Sequence, residues 1–190
     1  PKVTLTHTSG STTQELCYGS TIEPIVYKTA NATNATVTGL PTGVSYDFDQ
    51  DAQTITISGT LPIQANDESL TYTVSVEGAT APCTNPASLT GTITIKGKPT
   101  VTIGQIDALC EGSELDITAK VSGADTYAYY SDAAGTTALP NTKITAVGTT
   151  NFWVKGMTSG CPSDLVAGSV TINPKVTLTH TSGSTTQELC

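Results

Sequence analysis

The chain has 190 residues, with eight Lys and Arg against sixteen Asp and Glu, a formal net charge of −8 and a pI near 4.5. Every basic residue is Lys, and so few cations in an acidic chain exclude binding to nucleic acid through its phosphates. Hydrophobic residues make up 37% and charged residues 13%, a balance that folds rather than staying disordered, and no apolar run approaches the roughly 20 residues that span a bilayer.

About a fifth of the residues are Thr, and Val and Ile are plentiful. These side chains are stiff at χ1 and suit a pleated surface, so the expected fold is all-β. In chain order, strands are predicted over 3–6, 22–28, 35–38, 43–48, 54–58, 70–77 and 90–95. A second set follows over 100–103, 115–121, 127–131, 143–146, 151–155 and 168–172. Leu70, Tyr72, Val74 and Val76 alternate with polar residues, the period of a half-buried strand. Asp49-Gln50-Asp51, Gln64-Ala65-Asn66-Asp67, Ala124-Asp125, Ala133-Ala134-Gly135 and Ser159-Gly160 are turns. Short strands at regular spacing, with no helical period, predict immunoglobulin-like sandwiches.

Residues 1–17, PKVTLTHTSGSTTQELC, recur without change as residues 174–190. The chain therefore reads as one repeat of 173 residues and the opening of the next, and is expected to be an excised part of a long tandem array. A weaker repeat lies inside it. Leu16-Cys17-Tyr18-Gly19-Ser20 answers to Leu109-Cys110-Glu111-Gly112-Ser113, and Gly91-Thr92-Ile93-Thr94-Ile95 answers to Gly168-Ser169-Val170-Thr171-Ile172. Two tandem immunoglobulin-like domains per repeat follow, over 1–98 and 99–173, with 174–190 beginning a third.

Gly39-Leu40-Pro41-Thr42-Gly43-Val44-Ser45, followed by Thr54-Ile55-Thr56-Ile57-Ser58-Gly59-Thr60, resembles the immunoglobulin- and cadherin-like repeats of bacterial surface proteins. Tyr129-Tyr130-Ser131-Asp132-Ala133-Ala134-Gly135-Thr136, then Thr149-Thr150-Asn151-Phe152-Trp153-Val154 and Gly160-Cys161, is similar to the Ig-like repeats of giant surface adhesins of Bacteroidota. The resemblance covers both domains. It implies export by the type IX system and, in some relatives, a role in gliding or attachment. The Trp usual on the third strand is absent; Tyr129 or Tyr130 is expected in its place, with Trp153 on the penultimate strand.

Five Cys in an acidic, Thr-rich β chain point to an oxidising compartment, extracellular or at the cell surface. Each domain has one Cys before its second strand and one after its penultimate strand: Cys17 and Cys83, then Cys110 and Cys161, with Cys190 the copy of Cys17. Counting suggests Cys17–Cys83 and Cys110–Cys161. In such a sandwich, however, those positions lie at opposite ends, a strand length of roughly 25 Å apart, whereas bridged Cα atoms are about 4.4–6.8 Å apart. The alternative joins neighbours: Cys17 with Cys161, and Cys110 with the Cys83 copy of the following repeat. Geometry favours the second pairing, and both stay open at this point.

His7 and His180 are one position of the repeat, which excludes a His-based triad or metal site within a module. Asp47, Asp49 and Asp51 have the oxygen ligands a hard cation takes but lack the Gly and distal Glu of a calcium loop; three solvent-facing carboxylates are the plainer reading. Asn31-Ala32-Thr33 and Asn34-Ala35-Thr36 read as turn residues rather than glycan acceptors. Tyr127, Tyr129 and Tyr130 could stack on a sugar or simply pack on their strand. No catalytic constellation is present, so no enzyme activity, metal or cofactor is expected. The expected function is a structural repeat module of a long adhesin or filament. Its partners would be neighbouring repeats, other copies in a filament and surface glycans, without membrane insertion. A glycan-binding repeat acting by avidity and a spacer in a secreted enzyme are the alternatives.

Overall fold

The computed structural model describes residues 2–80, 83–86 and 88–176, and within them every regular element but one short 3-10 turn is a strand. Contacts divide the chain into two units. The first is Pro1–Thr100 with Ala124–Thr126 and Gly156–Asp164; the second is Val101–Gly123, Tyr127–Lys155 and Leu165–Cys190.

The first unit holds β1 (Thr4–Ser9), β2 (Thr13–Cys17), β3 (Ile25–Ala30), β4 (Asn34–Thr38), β5 (Val44–Asp49), β6 (Thr54–Gly59), β7 (Glu68–Glu77) and β8 (Leu89–Lys96). One sheet has the order β1-β3-β6-β5 and the other β2-β8-β7-β4. Neighbours are antiparallel except β2 and β8, which run parallel. The opening strand thus starts in one sheet and finishes in the other, as in an immunoglobulin-like sandwich. Gly10 makes the change of sheet possible. Its φ is +76°, and a Cβ there would lie 2.1 Å from the Pro24 carbonyl oxygen, so no other residue fits. Buried Gln14 then fixes β2: its amide donates to the carbonyls of Ser11 (3.1 Å) and Glu23 (2.8 Å) and accepts from the Glu23 N–H (2.9 Å).

The alternation of β-branched and aromatic residues fills the space between the sheets. Ile25 and Tyr27 of β3 and Ile55 and Ile57 of β6 face Tyr72 and Val74 of β7 and Ile93 and Ile95 of β8, all fully buried. The Tyr27 and Tyr72 hydroxyls meet at 3.0 Å, and Tyr72 also donates to the Thr12 carbonyl at 3.4 Å. Tyr72 pairs with Gly91 across the strands, and a Cβ at Gly91 would lie 2.2 Å from the Tyr72 oxygen. Burial, and then the bond to Tyr27, push the Tyr72 hydroxyl well above the ordinary tyrosine range.

The second unit holds β9 (Thr102–Ile103), β10 (Leu109–Cys110), β11 (Leu115–Asp116), β12 (Val121–Ser122), β13 (Thr126–Tyr130), β14 (Lys143–Ile144), β15 (Gly148–Thr158) and β16 (Cys161–Asn173), the end residues of β13, β15 and β16 grouping with the first unit. Its main sheet has the order β10-β16-β15-β13, with small antiparallel pairs β9–β12 and β11–β14. Again a short strand, β10, runs parallel to the last strand, β16. Phe152 covers Gly168 as Tyr72 covers Gly91: a Cβ at Gly168 would lie 2.4 Å from the ring. Val101, Ile117, Ile144, Val154, Val170 and Ile172 are buried as well.

Several elements depart from the predicted strands, among them the unpredicted β10 (Leu109–Cys110). Residues 13–17, expected as a loop, form β2. The strand expected over 115–121 is broken by a 3-10 turn over Ile117–Lys120. Asp116 causes the break by accepting from the Thr118 N–H and hydroxyl at 3.0 and 2.7 Å, bonds that hold its carboxyl below the usual range. The strands expected over 151–155 and 168–172 extend to meet at a two-residue turn. There Ser159 has φ +50° and Gly160 φ +81°, positive at both positions as a type I′ hairpin requires. Among the described residues no helix is long and apolar enough to cross a membrane.

Candidate functional site

The feature shared by both units is a cysteine turn. Cys17 ends β2 opposite Lys96 of β8, and Cys110 ends β10 opposite Asn173 of β16. The next residue continues each ladder: the Tyr18 N–H donates to the Lys96 carbonyl at 2.9 Å, and the Glu111 N–H to the Asn173 carbonyl at 2.8 Å. The chain then turns back through a glycine of positive φ, +67° at Gly19 and +88° at Gly112. The turn closes with Ser20 N–H to Cys17 carbonyl at 3.2 Å and Ser113 N–H to Cys110 carbonyl at 3.0 Å. The Leu-Cys-x-Gly-Ser motif is therefore one structure built twice.

Cys17 is bonded to Cys161, with Cα atoms 5.4 Å apart and a separation of 144 positions in sequence. Cys83 and Cys110 are free and exposed; the pairing Cys17–Cys83 with Cys110–Cys161 is not the one formed. Cys161 is 1% exposed and sits in the segment 156–164 that groups with the first unit. Ser163 shapes that segment, accepting from the Gly156 N–H at 2.9 Å and donating to the Asp164 carbonyl at 2.6 Å.

Polar contacts flank the disulfide. Tyr18 donates its hydroxyl to the Pro162 carbonyl. The Lys98 ammonium lies 2.6 Å from the Asp164 carboxylate and 5.6 Å from the centre of the Tyr18 ring, within cation–π reach. Its hydrogen bond to Asp164 raises the Lys98 pKa. Lys96 bridges Glu15 (3.2 Å) and Asp67 (3.3 Å), which raises its own pKa. Asp67 also accepts from the Gly97 N–H at 2.8 Å, the main cause of its lowered pKa. Sequence reading places Tyr18 in the repeated Leu-Cys-x-Gly-Ser motif and Lys98 in the short link before Pro99, but gives none of Tyr18, Lys96, Lys98 or Asp164 a role in a site. The available signal is Lys96-Gly97-Lys98, placed where β8 ends beside the cysteine turn.

The other sequence candidates lie apart from this cluster. Cys83 is in the connection between β7 and β8, its N–H donating to the Thr80 carbonyl at 2.9 Å. Asp47 and Asp49 are exposed on β5, and Asp49 accepts from the Ala52 N–H at 2.7 Å in the turn that contains Asp51. Among the described residues no group of three or more His, Cys, Asp or Glu is placed to hold a metal ion. Tyr127 and Tyr129 share one face of β13 and Tyr130 the other, each half-buried, and burial raises the Tyr129 hydroxyl pKa. Exposed His7 bonds the carbonyls of Ser9 and Gly10 at 3.0 and 2.6 Å and rests edge-on against Tyr27. Asn31 adopts a left-handed turn, φ +56°. His180 and Cys190 lie outside the described residues.

Fold and site together define an all-β, immunoglobulin-like tandem-repeat chain with a disulfide. Residues 97–174 match the family model described as Ig-like domain CHU_C associated. No curated protein matches the chain. Among solved structures it is similar to the tandem Ig repeats of Dlar, with 8% identity over 90% of this chain and 98% of that one and a TM-score of 0.30. It is also similar to an endo-fucoidan hydrolase from glycoside hydrolase family 107, with 13% identity over 92% of this chain and 29% of that one and a TM-score of 0.29. Neither likeness bears on what this chain does.

Proposed function

We propose that the chain is a structural repeat module of a long adhesin or filament on a bacterial surface, supplying reach, stiffness and attachment. The observation that carries this reading is the recurrence of residues 1–17 as 174–190. The recurring segment contains β1, β2 and the cysteine that bonds Cys161, which is what a following module needs in order to begin. A disulfide suits an extracellular setting. An acidic surface keeps tandem copies soluble. The family match over 97–174 and the resemblance to Bacteroidota adhesins support the source and export by the type IX system. Neighbouring repeats of the same chain are the first partners; copies alongside in a filament would meet through the sheet edges β4 and β5.

Electron microscopy of chains with one, two and four repeats tests this. The expected result is a straight particle whose contour length rises by one constant step per repeat. Collapsed particles without a regular step refute it. Saturable binding on a glycan array that strengthens with repeat number would replace it with the glycan-binding reading.

A further inference from the structure

Resting on the tandem-module reading, we infer that Cys110 forms a disulfide with the Cys83 of the following repeat copy. The array then carries two bonds per repeat rather than one. Cys110 is the structural counterpart of Cys17: both end a strand parallel to the last strand of their module, and both open the same hydrogen-bonded turn. Cys83 is the counterpart of Cys161, each following the penultimate strand of its module, β7 or β15. The bond present in the structure joins a cysteine of the first kind to one of the second kind 144 residues later. The following copy of Cys83 lies 146 residues after Cys110, since one repeat is 173 residues and Cys83 precedes Cys110 by 27. The two steps match almost to the residue. The two thiols this rule requires, Cys83 and Cys110, are free and exposed among the described residues.

The bond forms by thiol–disulfide exchange with an external disulfide, such as oxidised glutathione or an oxidised dithiol–disulfide oxidoreductase. The Cys110 thiolate attacks one sulfur of that disulfide and releases a thiolate, leaving a mixed disulfide. The Cys83 thiolate of the following copy displaces the second sulfur. Two protons leave the protein thiols, the protein loses two electrons, and the oxidant departs as two thiols.

The bonds also overlap. The loop closed by Cys17–Cys161 contains Cys110, and the loop begun at Cys110 runs past residue 174, where the next repeat opens. No stretch of backbone between consecutive bonds would lie outside a loop, so one cut anywhere between the first and last bonded cysteines would leave the array in one piece.

The test is a chain of two 173-residue repeats, oxidised, alkylated without reduction, digested and mapped by mass spectrometry beside the 190-residue chain. In the 190-residue chain Cys110 should alkylate fully. In the two-repeat chain its alkylation should fall to half, with a Cys110–Cys83 linked peptide appearing. Cys83→Ser in the second copy should abolish the linked peptide and restore full alkylation; the same substitution in the first copy should leave the link intact. Full alkylation of Cys110 in the two-repeat chain overturns the inference, as does a link to Cys83 of its own copy or between separate chains. The Cys17–Cys161 peptide in the same digest reports correct folding. A regular contour step without the Cys110 link would remove this inference and leave the module reading standing.

Discussion

Replacing both Cys17 and Cys161 with Ala removes a cross-link that closes a loop of 144 residues. An open chain of that length gains conformational freedom only in the unfolded state, and the loop-entropy relation puts the gain at about 5 kcal/mol. For a chain of this size each kcal/mol moves the melting temperature by about 2–4 °C, so the chain should melt about 10–20 °C lower. Scanning calorimetry checks this, with and without dithiothreitol. Reductant should lower the transition of the parent chain by a similar amount and leave the double variant unmoved. A fall of less than about 3 °C, corresponding to roughly 1 kcal/mol, would refute the loop-entropy reasoning. So would a variant that still responds to reductant.

Gly91→Ala and Gly168→Ala should each lower the urea midpoint. The new methyl meets Tyr72 at 2.2 Å or Phe152 at 2.4 Å, and overpacking of this kind costs about 1–3 kcal/mol. Gly160→Ala meets nothing within 4 Å but must hold φ +81°, so it should cost only about 1–2 kcal/mol. Asp132 accepts from Thr136 and Thr137, which brings its pKa down to about 2. The stability it adds should be complete above the ordinary value of 3.8 and lost as pH falls through about 2; its carboxyl resonance in an NMR titration should show that midpoint, and one near 4 would contradict the geometry. Tyr18→Phe and Lys98→Gln should each speed reduction of Cys17–Cys161 by dithiothreitol, because they remove the contacts to Pro162 and Asp164. High salt should reproduce only the Lys98 effect.

The strands whose side chains fill the core are legible in the sequence because alternation survives there. Tyr72, Val74 and Val76 face inward with polar residues between them, as their pattern says. Strand β2 is not legible: Thr13-Gln14-Glu15-Leu16-Cys17 has little apolar character, and its ladder is completed by residues 92–96, far along the chain. Leu115, Ile117, Ala119 and Val121 carry a perfect strand period, yet one local acceptor, Asp116, diverts the backbone into a 3-10 turn. The doubled motif beginning Gly91 and Gly168 is visible as letters. Its cause, an aromatic ring lying over each glycine, depends on cross-strand register. The order of cysteines fits both pairings; which one forms depends on where β2 ends and on the extended hairpin of β15 and β16.

The disulfide also decides what happens when the chain is pulled from its ends. Tension entering near residue 17 can cross directly to residue 161 through the sulfur bridge, bypassing the residues between. The 144 residue-to-residue steps between the two cysteines are hidden length: drawn out at about 3.4 Å each, they would add about 490 Å, yet an oxidised chain cannot release them. In a force spectrometer the missing extension would return on adding reductant, so the redox state of one bond sets how far the molecule stretches before it lets go.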